Sequence, residues 1–324
     1  MSPTMRRLVP AIPLAAVLLV PAGALGAQGN GAVAAVPKAT VKIVHLGNLK
    51  GGRARIMSTV PVVGTVSPFA PRQRVEVSFY RNGKRFARKK VRVRKGKRGA
   101  GVFRARIRVT AAAKFAASAR HAPTALLGGD RTVRKSWRVR FPALRQGKCG
   151  PAAVGFKKAM RKMGYVANSG RCFGGKTARG VLAYRKVNGM SRSFRAGKGL
   201  VKRVFAGRGS YRVRHPGAGT HVEVPLSRQV LVFAKGDRPY AVYPTSSGTS
   251  ATPTVTGHYS FQRTEPGYNA KGMYYCWYFY GGYAVHGYES VPNYPASHGC
   301  IRTFIADQPE VYERISYGES IFIF

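Results

Sequence analysis

A short stretch near the C-terminus gathers the residue types that a thiol acyl-transfer site requires. Cys300 follows a glycine and lies fourteen residues after His286. A cysteine attacks a carbonyl as its thiolate, so it needs a proton acceptor such as an imidazole nearby. The preceding glycine lets a substrate carbonyl approach the backbone amides. The stretch therefore predicts Cys300 as a nucleophile that His286 ionises at neutral pH, with the Gly299 and Cys300 amides as the oxyanion hole.

The polar residues around Cys300 are compatible with substrate binding or with a metal site. We expect Ser297, His298 and Arg302 to bind substrate, with Ser297 also positioning the loop. The alternative is a zinc site, because two histidines and a cysteine are competent zinc ligands. The stretch lacks paired ligand spacing such as Cys-x-x-Cys, and zinc would leave the serine, glycine and arginine unexplained. We therefore predict no metal and no organic cofactor.

The pattern around Cys300 resembles the L,D-transpeptidase catalytic domain, also called the YkuD domain, of bacterial cell walls. That family carries His-Gly or His-Ser, a variable loop, then Ser/Thr-His-Gly-Cys, an apolar residue and Arg or Asn. Here these positions hold His286-Gly287 and Ser297-His298-Gly299-Cys300-Ile301-Arg302. Motifs this long rarely coincide by chance. The resemblance covers the last hundred or so residues and implies a mainly-β catalytic domain, which we place at 220–324.

The resemblance also implies the reaction. Cys300 would attack the carbonyl of the third residue of a peptidoglycan stem tetrapeptide and expel D-alanine, while the Gly287 carbonyl orients the His286 ring. An amine of a neighbouring stem peptide would then take the acyl group and form a 3-3 cross-link. Two alternatives remain open. Water as the acceptor would make the protein an L,D-carboxypeptidase, and a loss of chemistry would leave a non-catalytic basic protein that binds the cell wall.

Charge divides the chain into two parts. Seven of the 56 Lys and Arg residues and eight of the ten Asp and Glu residues lie at 223–324, so that segment carries −1 and residues 1–222 carry +47. Internal ion pairs cannot offset this repulsion, so anions must collect over the basic part. We expect anionic cell-wall polymers as its partners. Nucleic acid is the competing polyanion, but no nucleic-acid-binding motif is present, and we predict no such partner.

The N-terminus has the pattern of an export signal. Arg6 and Arg7 precede an apolar run from Leu8 to Val20, and small residues follow. This pattern is typical of a signal peptide, which we place at residues 1–27. The run is shorter than the roughly 20 apolar residues of a spanning helix, and a permanent N-terminal anchor is the alternative. We expect an exported protein of the cell wall or of a periplasm-like space.

Residues 38–141 have the alternating pattern of a sheet. Apolar residues alternate with polar or basic ones at 75–79, 103–109 and 137–141. Asn82-Gly83 and Lys97-Arg98-Gly99 are turn signals between such segments. We therefore predict an antiparallel Ig-like β-sandwich with a basic surface.

Between residues 144 and 192 the spacing of apolar residues is helical. We predict one helix that Gly164 ends and a second that begins with Thr177 as its N-cap. The segment is similar to a small peptidoglycan-binding helical domain but lacks that domain's glutamines, so glycan binding and a purely structural spacer are alternative hypotheses. The basic, glycine-rich residues 193–219 are predicted to be a linker.

The four cysteines have different predicted fates. Cys149 and Cys172 bracket the helical module, and an exported compartment permits their oxidation to a disulfide. Cys276 lies in an aromatic run and is expected to be buried as a small hydrophobic residue. Its pairing with Cys300, as a redox switch, is the alternative. The predicted fold is thus multidomain, with an N-terminal sandwich, a small helical module and a C-terminal mainly-β catalytic domain.

Overall fold

Twenty β-strands and four α-helices make up the part of the chain that the structure, a computed structural model, describes. This part comprises residues 35–324, and the signal peptide predicted at 1–27 lies outside it. Residues 37–324 form one compact unit. Within the described residues, every helix is too short or too polar to cross a bilayer.

Eleven strands form a two-layer sandwich at the N-terminal end of this unit. They are β1 (Thr40–Leu46), β2 (Leu49–Lys50), β3 (Arg53–Arg55), β4 (Thr59–Ser67), β5 (Arg74–Arg81), β6 (Lys84–Arg92), β7 (Arg94–Lys95), β8 (Gly101–Arg108), β9 (Phe115–His121), β10 (Asp130–Arg131) and β11 (Lys135–Arg140). One sheet has the order β1-β4-β8-β7, and the other has the order β2-β3-β11-β9-β5-β6 with β10 beside β9. The strand pairs are antiparallel except β3 with β11, which is parallel.

The alternation of the sequence explains the sandwich. Successive side chains of a strand point to opposite faces. Val75, Val77 and Phe79 of β5 are therefore buried between the sheets, while the arginines of neighbouring strands face solvent. The predicted turn at Asn82 and Gly83 is present, and the positive φ of both residues (48° and 82°) makes a tight hairpin between β5 and β6. The β-rich sandwich is confirmed, and its Ig-like topology stays a prediction.

Three helices follow the sandwich: α1 (Pro151–Lys162), α2 (Gly175–Val187) and α3 (Lys198–Phe205). Gly164, with φ of +86°, follows the end of α1 as predicted. The prediction that Thr177 caps α2 is wrong. Gly174 is the N-cap residue, and the Thr177 hydroxyl instead bonds Asn168 of the preceding loop.

The prediction that residues 193–219 form a linker is also wrong. Helix α3 lies in this segment and buries Leu200, Val201 and Val204 against the other helices. The abundance of Gly, Arg and Lys hid this short apolar face. The helical module is thus completed by a third helix, and its apolar core continues into Val230 and Val232 of the C-terminal domain.

The loop that carries the disulfide is held by a buried lysine. The bond between Cys149 and Cys172 is present. Lys157 of α1 is 1% exposed, and its ammonium donates hydrogen bonds to the carbonyls of Ser169, Gly170 and Cys172 at 2.8, 2.8 and 2.7 Å. Lys157 therefore stabilises the interior of the module and is not exposed to bind a ligand.

Replacing Lys157 by methionine should lower the free energy of unfolding by about 3 kcal/mol, because three loop carbonyls lose their shared charged donor. The measurement is urea unfolding followed by far-UV circular dichroism. Lys158→Met is the matched control, since the neighbouring lysine is exposed, and it should change stability by less than about 0.5 kcal/mol. Equal effects of the two substitutions would contradict this role of Lys157.

The C-terminal domain consists of two packed sheets and one helix. Its elements are β12 (Thr220–Val224), β13 (Val230–Lys235), β14 (Arg238–Pro244), β15 (Gly257–Ser260), β16 (Arg263–Tyr268), β17 (Tyr274–Tyr280), β18 (Tyr283–Tyr288), β19 (Ile301–Phe304), α4 (Gln308–Arg314) and β20 (Ser320–Ile323). The sheet orders are β14-β13-β12-β20-β15 and β16-β17-β18-β19. Apolar side chains of both sheets, including Phe233, Val285 and Ile321, form the core between them.

Candidate active site

Cys300 lies in a tight turn immediately before β19. The Ser297 hydroxyl donates a hydrogen bond to the Cys300 carbonyl (2.6 Å) and accepts one from the Gly299 amide (3.1 Å). Gly299 has a φ of +109°, and a Cβ at this position would run into the ring of Tyr283. Only glycine satisfies both conditions. The turn therefore fixes the sulfur at the start of β19, and Ser297 holds the turn.

His286 lies on β18, which runs parallel to β19. The register pairs Val285 with Ile301 and His286 with Arg302. Cys300 is therefore level with Ala284, and the alternation of the strands puts His286 and Cys300 on the same face of the sheet. The parallel pairing of two strands brings together residues that are fourteen positions apart in the chain.

A single hydrogen bond fixes the protonation pattern of the imidazole. Nδ1 of His286 donates to the Gly287 carbonyl at 2.9 Å. A carbonyl oxygen can only accept, so Nδ1 carries the hydrogen and Nε2 carries the lone pair. Among residues 35–324, Nε2 makes no hydrogen bond. Gly287 thus lies where its predicted role requires, and Nε2 is the nitrogen that can act as a base.

The predicted residues meet at a cavity of about 300 Å³. Its lining residues are Lys271, Met273, Gly282, His286, Tyr288, Ser297, His298, Cys300 and Arg302. The lining includes two cations, Lys271 and Arg302, and no carboxylate, so the cavity suits an anionic ligand. Lys271 and Met273 were not predicted, because they come from the turn before β17 and belong to no motif.

Burial favours the neutral forms of both the thiol and the imidazole. Burial raises the pKa of the Cys300 thiol, although the Ala284 amide, Arg302 and Lys271 act in the opposite direction. Burial, together with the nearby charge of Arg302, lowers the pKa of His286 to about 4. These shifts favour an uncharged imidazole that can accept a proton at neutral pH. Ionisation of the sulfur by His286 stays a prediction.

The two predicted oxyanion donors differ in their availability. The Gly299 amide is already bonded to Ser297 Oγ. The Cys300 amide has no acceptor among the described residues. In this conformation the Cys300 amide is the free donor, and the Gly299 amide would have to leave Ser297 to take part.

The predicted substrate-binding residues occupy two depths of the cavity. Arg302 is 9% exposed, donates to the Ala296 carbonyl (3.1 Å) and lies 4.1 Å above the Tyr288 ring. It supplies a fixed positive charge, because among the described residues it forms no ion pair. His298 is exposed at the rim of the cavity.

Cys276 is a free, fully buried thiol, as expected from its aromatic surroundings. It packs with Met273, Tyr278 and Ala284, and Cys300 contacts the same cluster. Burial raises its pKa to about 11, so this thiol is not a second nucleophile at neutral pH. In the described part of the chain, no group of His, Cys, Asp and Glu residues has an arrangement suited to a metal ion.

Comparisons with known proteins identify the domain that carries this site. Residues 219–323 match the family model described as the L,D-transpeptidase catalytic domain, YkuD. No curated protein matches the chain. An L,D-transpeptidase structure from Xylanimonas cellulosilytica is similar at 25% identity and a TM-score of 0.52, covering 56% of this chain and 98% of that one.

Two further solved structures have weaker similarity. An L,D-transpeptidase from Stackebrandtia nassauensis has 20% identity and a TM-score of 0.34, with 55% of this chain and 93% of that one covered. An Enterococcus faecium L,D-transpeptidase has 23% identity and a TM-score of 0.30, with coverages of 39% and 62%. From the family match, the Xylanimonas structure and the site geometry, we conclude that residues 219–323 of this chain are an L,D-transpeptidase catalytic domain of the YkuD family.

Proposed function

We propose that this protein is a peptidoglycan L,D-transpeptidase that forms 3-3 cross-links by acyl transfer through Cys300. One observation carries the proposal. Cys300 and His286 line the same small cavity, and the Gly287 carbonyl leaves His286 with Nε2 free to accept a proton. A partly buried thiol that shares a cavity with an oriented imidazole is an arrangement for nucleophilic attack on a carbonyl.

The first half of the reaction acylates the enzyme. As the Cys300 sulfur bonds to the carbonyl carbon of the third stem-peptide residue, His286 Nε2 takes the thiol proton. The negative charge moves to the carbonyl oxygen, where the Cys300 amide stabilises it. The tetrahedral intermediate then breaks its bond to the nitrogen of the terminal D-alanine. That nitrogen takes the proton from His286 and departs, which leaves a thioester.

The second half transfers the acyl group to an acceptor. The side-chain amine of a neighbouring stem peptide attacks the thioester while His286 takes its proton. The carbon–sulfur bond breaks, and the proton returns from His286 to the sulfur. An amide between two third-position residues results, and the free thiol is restored. Water in place of the amine would give hydrolysis, the carboxypeptidase alternative.

The decisive experiment incubates purified protein with disaccharide tetrapeptide and analyses the products by mass spectrometry. The wild type should release D-alanine and give a dimer joined through two third-position residues, whereas Cys300→Ala should give neither. A monomeric tripeptide as the main product would favour the carboxypeptidase. The absence of product and of any thioester on Cys300 would favour a non-catalytic wall-binding protein.

The rate of Cys300 acylation should depend on pH through His286. Because burial lowers the pKa of His286 to about 4, the imidazole is an available base throughout the neutral range. The rate should therefore fall only as pH drops through about 4, where the ring becomes protonated, and not near 6.5. Stopped-flow acylation with a carbapenem between pH 3.5 and 8 measures this. An inflection near 6.5 would contradict a buried, neutral base.

We also propose that the basic N-terminal region holds the enzyme on anionic cell-wall polymers. Strand β6 is the edge strand of its sheet and exposes six Lys and Arg side chains along nine residues. Among the described residues, Glu76 is the one carboxylate that pairs with them, 3.9 Å from Arg88. Lysines on an edge strand also prevent unwanted strand pairing. The density of unpaired positive charge nevertheless favours a polyanionic partner.

Export to the cell wall follows from the same proposal. The substrate lies outside the cytoplasmic membrane, and the disulfide between Cys149 and Cys172 is of the kind that persists in oxidising compartments. Cleavage of the predicted signal peptide at residues 1–27 would be detected as an N-terminus shortened by about that length in secreted protein.

A further inference from the structure

We propose that Gln308 is a positioning residue for the catalytic base and that the helical module anchors it through Arg179. The inference deepens the proposed function, because it rests on the proposed role of His286 as the base. Gln308 is the first residue of α4 and lies behind the sheet that carries His286. Gln308 was not predicted as a site residue, since it belongs to no motif.

One buried side chain contacts three neighbouring strands around the base. Gln308 is fully buried, and its Nε2 donates to the Tyr275 carbonyl of β17 at 2.6 Å. Its Oε1 accepts a hydrogen bond from the hydroxyl of Thr303 on β19. The same hydroxyl lies 3.3 Å from the carbonyl of His286 on β18. The carboxamide thus joins β17 and β19 on either side of the strand that carries the base.

The aliphatic part of Gln308 packs directly on Gly287. A Cβ added to Gly287 would lie 2.9 Å from Gln308 Cβ and 3.1 Å from its Cγ. Gly287 is the residue whose carbonyl accepts the Nδ1 hydrogen of His286. Gln308 therefore limits the movement of the peptide that sets the orientation of the imidazole. The hydrogen bond from Gln308 Nε2 reaches Tyr275, whose φ of +52° marks an irregular point of β17.

The helical module holds the start of α4. Arg179 of α2 makes two hydrogen bonds to Asp307, the residue before Gln308, at 2.5 and 2.6 Å. The Asp307 side chain is 1% exposed and the Arg179 side chain is 16% exposed. Two parallel bonds between a guanidinium and a carboxylate fix both distance and orientation. One turn further along, Lys176 of α2 pairs with Glu310 of α4.

These contacts give the helical module a role in catalysis that neither glycan binding nor a spacer explains. The connection runs from Arg179 through Asp307 and Gln308 to Gly287 and the ring of His286. A displacement of a catalytic group by about 1 Å can cost about a hundredfold in rate. The module therefore acts as the support that keeps the base in place.

The first test compares Gln308→Met and Thr303→Val with the wild type. Both variants keep side-chain volume but remove hydrogen bonds around the base. The carbapenem acylation rate of Cys300 should fall about 10- to 100-fold at saturating reagent, with little change in the half-saturating concentration. Val311→Ala is the control, because it removes buried packing from the same helix without touching this network. Its rate per folded molecule should equal that of the wild type.

Gln308→Glu provides a signature that a loss of stability cannot imitate. A protonated carboxyl can still donate to the Tyr275 carbonyl, whereas a carboxylate cannot, and burial raises the pKa of such a group. The variant should therefore retain most activity at low pH and lose it as pH rises through the new pKa. Wild type and Val311→Ala should show no such loss.

The third readout does not depend on any reaction. Nitrogen-15 NMR of the imidazole should report the tautomer with hydrogen on Nδ1 in the wild type and in Val311→Ala. A mixture of tautomers is expected in Gln308→Met and, more weakly, in Arg179→Ala. Unchanged tautomer and rate in folded Gln308→Met and Thr303→Val would overturn the proposal. A wild type that cannot be acylated would instead defeat the proposed function, and the NMR spectra alone would then decide whether Gln308 orients the ring.

Discussion

Replacing His286 by alanine is expected to slow acylation of Cys300 by about 10³-fold at neutral pH. Burial raises the pKa of the thiol, so without a base almost all of the sulfur stays protonated. His286 is the buried histidine of the cavity, and the Gly287 carbonyl leaves its Nε2 lone pair free to take this proton. Mass spectrometry of the carbapenem adduct against time measures the rate.

The pH dependence of the His286→Ala variant separates a missing base from a distorted cavity. Without the imidazole, the rate should follow the fraction of thiolate and rise about tenfold per pH unit below the thiol pKa. The wild type should be nearly flat over the same range, because its base is already neutral. A distorted cavity would lower the rate equally at every pH.

His258→Ala is the matched control for this experiment. His258 is exposed, stacks on Phe322 at 4.3 Å and does not line the cavity, so its loss should change the rate by less than about twofold. His298→Ala tests the other histidine of the motif. If His298→Ala were the variant that loses about 10³-fold and His286→Ala stayed near the wild type, the base would be His298 and the assignment would be wrong.

The second large expected effect concerns the proposed binding of the basic sandwich to the cell wall. Retention of the full chain on purified walls should fall by about 10³-fold in affinity between 50 and 200 mM salt, as expected for six or more neutralised phosphates. The described residues of the sandwich contain two acidic side chains, Glu76 and Asp130, so ion pairs within the domain cannot neutralise its positive charge. Co-sedimentation at several salt concentrations measures the affinity.

A triple substitution on the edge strand β6 localises this effect. Arg85, Lys90 and Arg92 are exposed, and replacing all three by glutamine should weaken retention and lower the salt slope by about 3. Lys235→Gln with Arg238→Gln is the control, since both residues are exposed on a hairpin of the catalytic domain. Retention that does not change with salt would indicate specific glycan recognition in place of charge attraction.

The chemistry of the site could be predicted from the sequence because its residues lie close together in the chain. The turn from Ser297 to Arg302 carries the nucleophile, its glycine and a cation, and the local backbone sets their relations. The disulfide, the alternating strands of the sandwich and the end of α1 at Gly164 follow from equally local rules.

Local rules failed where a tertiary contact decided the outcome. The Thr177 hydroxyl forms a hydrogen bond with Asn168, and Gly174 is the N-cap residue of α2. The apolar face of α3 was recognisable only together with the residues that it packs against.

By itself, the sequence determined which atoms could react: a thiol, an imidazole and backbone amides in a motif with defined spacing. The tertiary structure decided their state. Burial raises the pKa of Cys300 and lowers that of His286 to about 4, because a low-dielectric surrounding disfavours the charged form of either group. The proposed support of the active site by the helical module likewise depends on tertiary contacts, since the bonds from Arg179 to Asp307 and from Gln308 to Tyr275 span distances along the chain that no local pattern encodes.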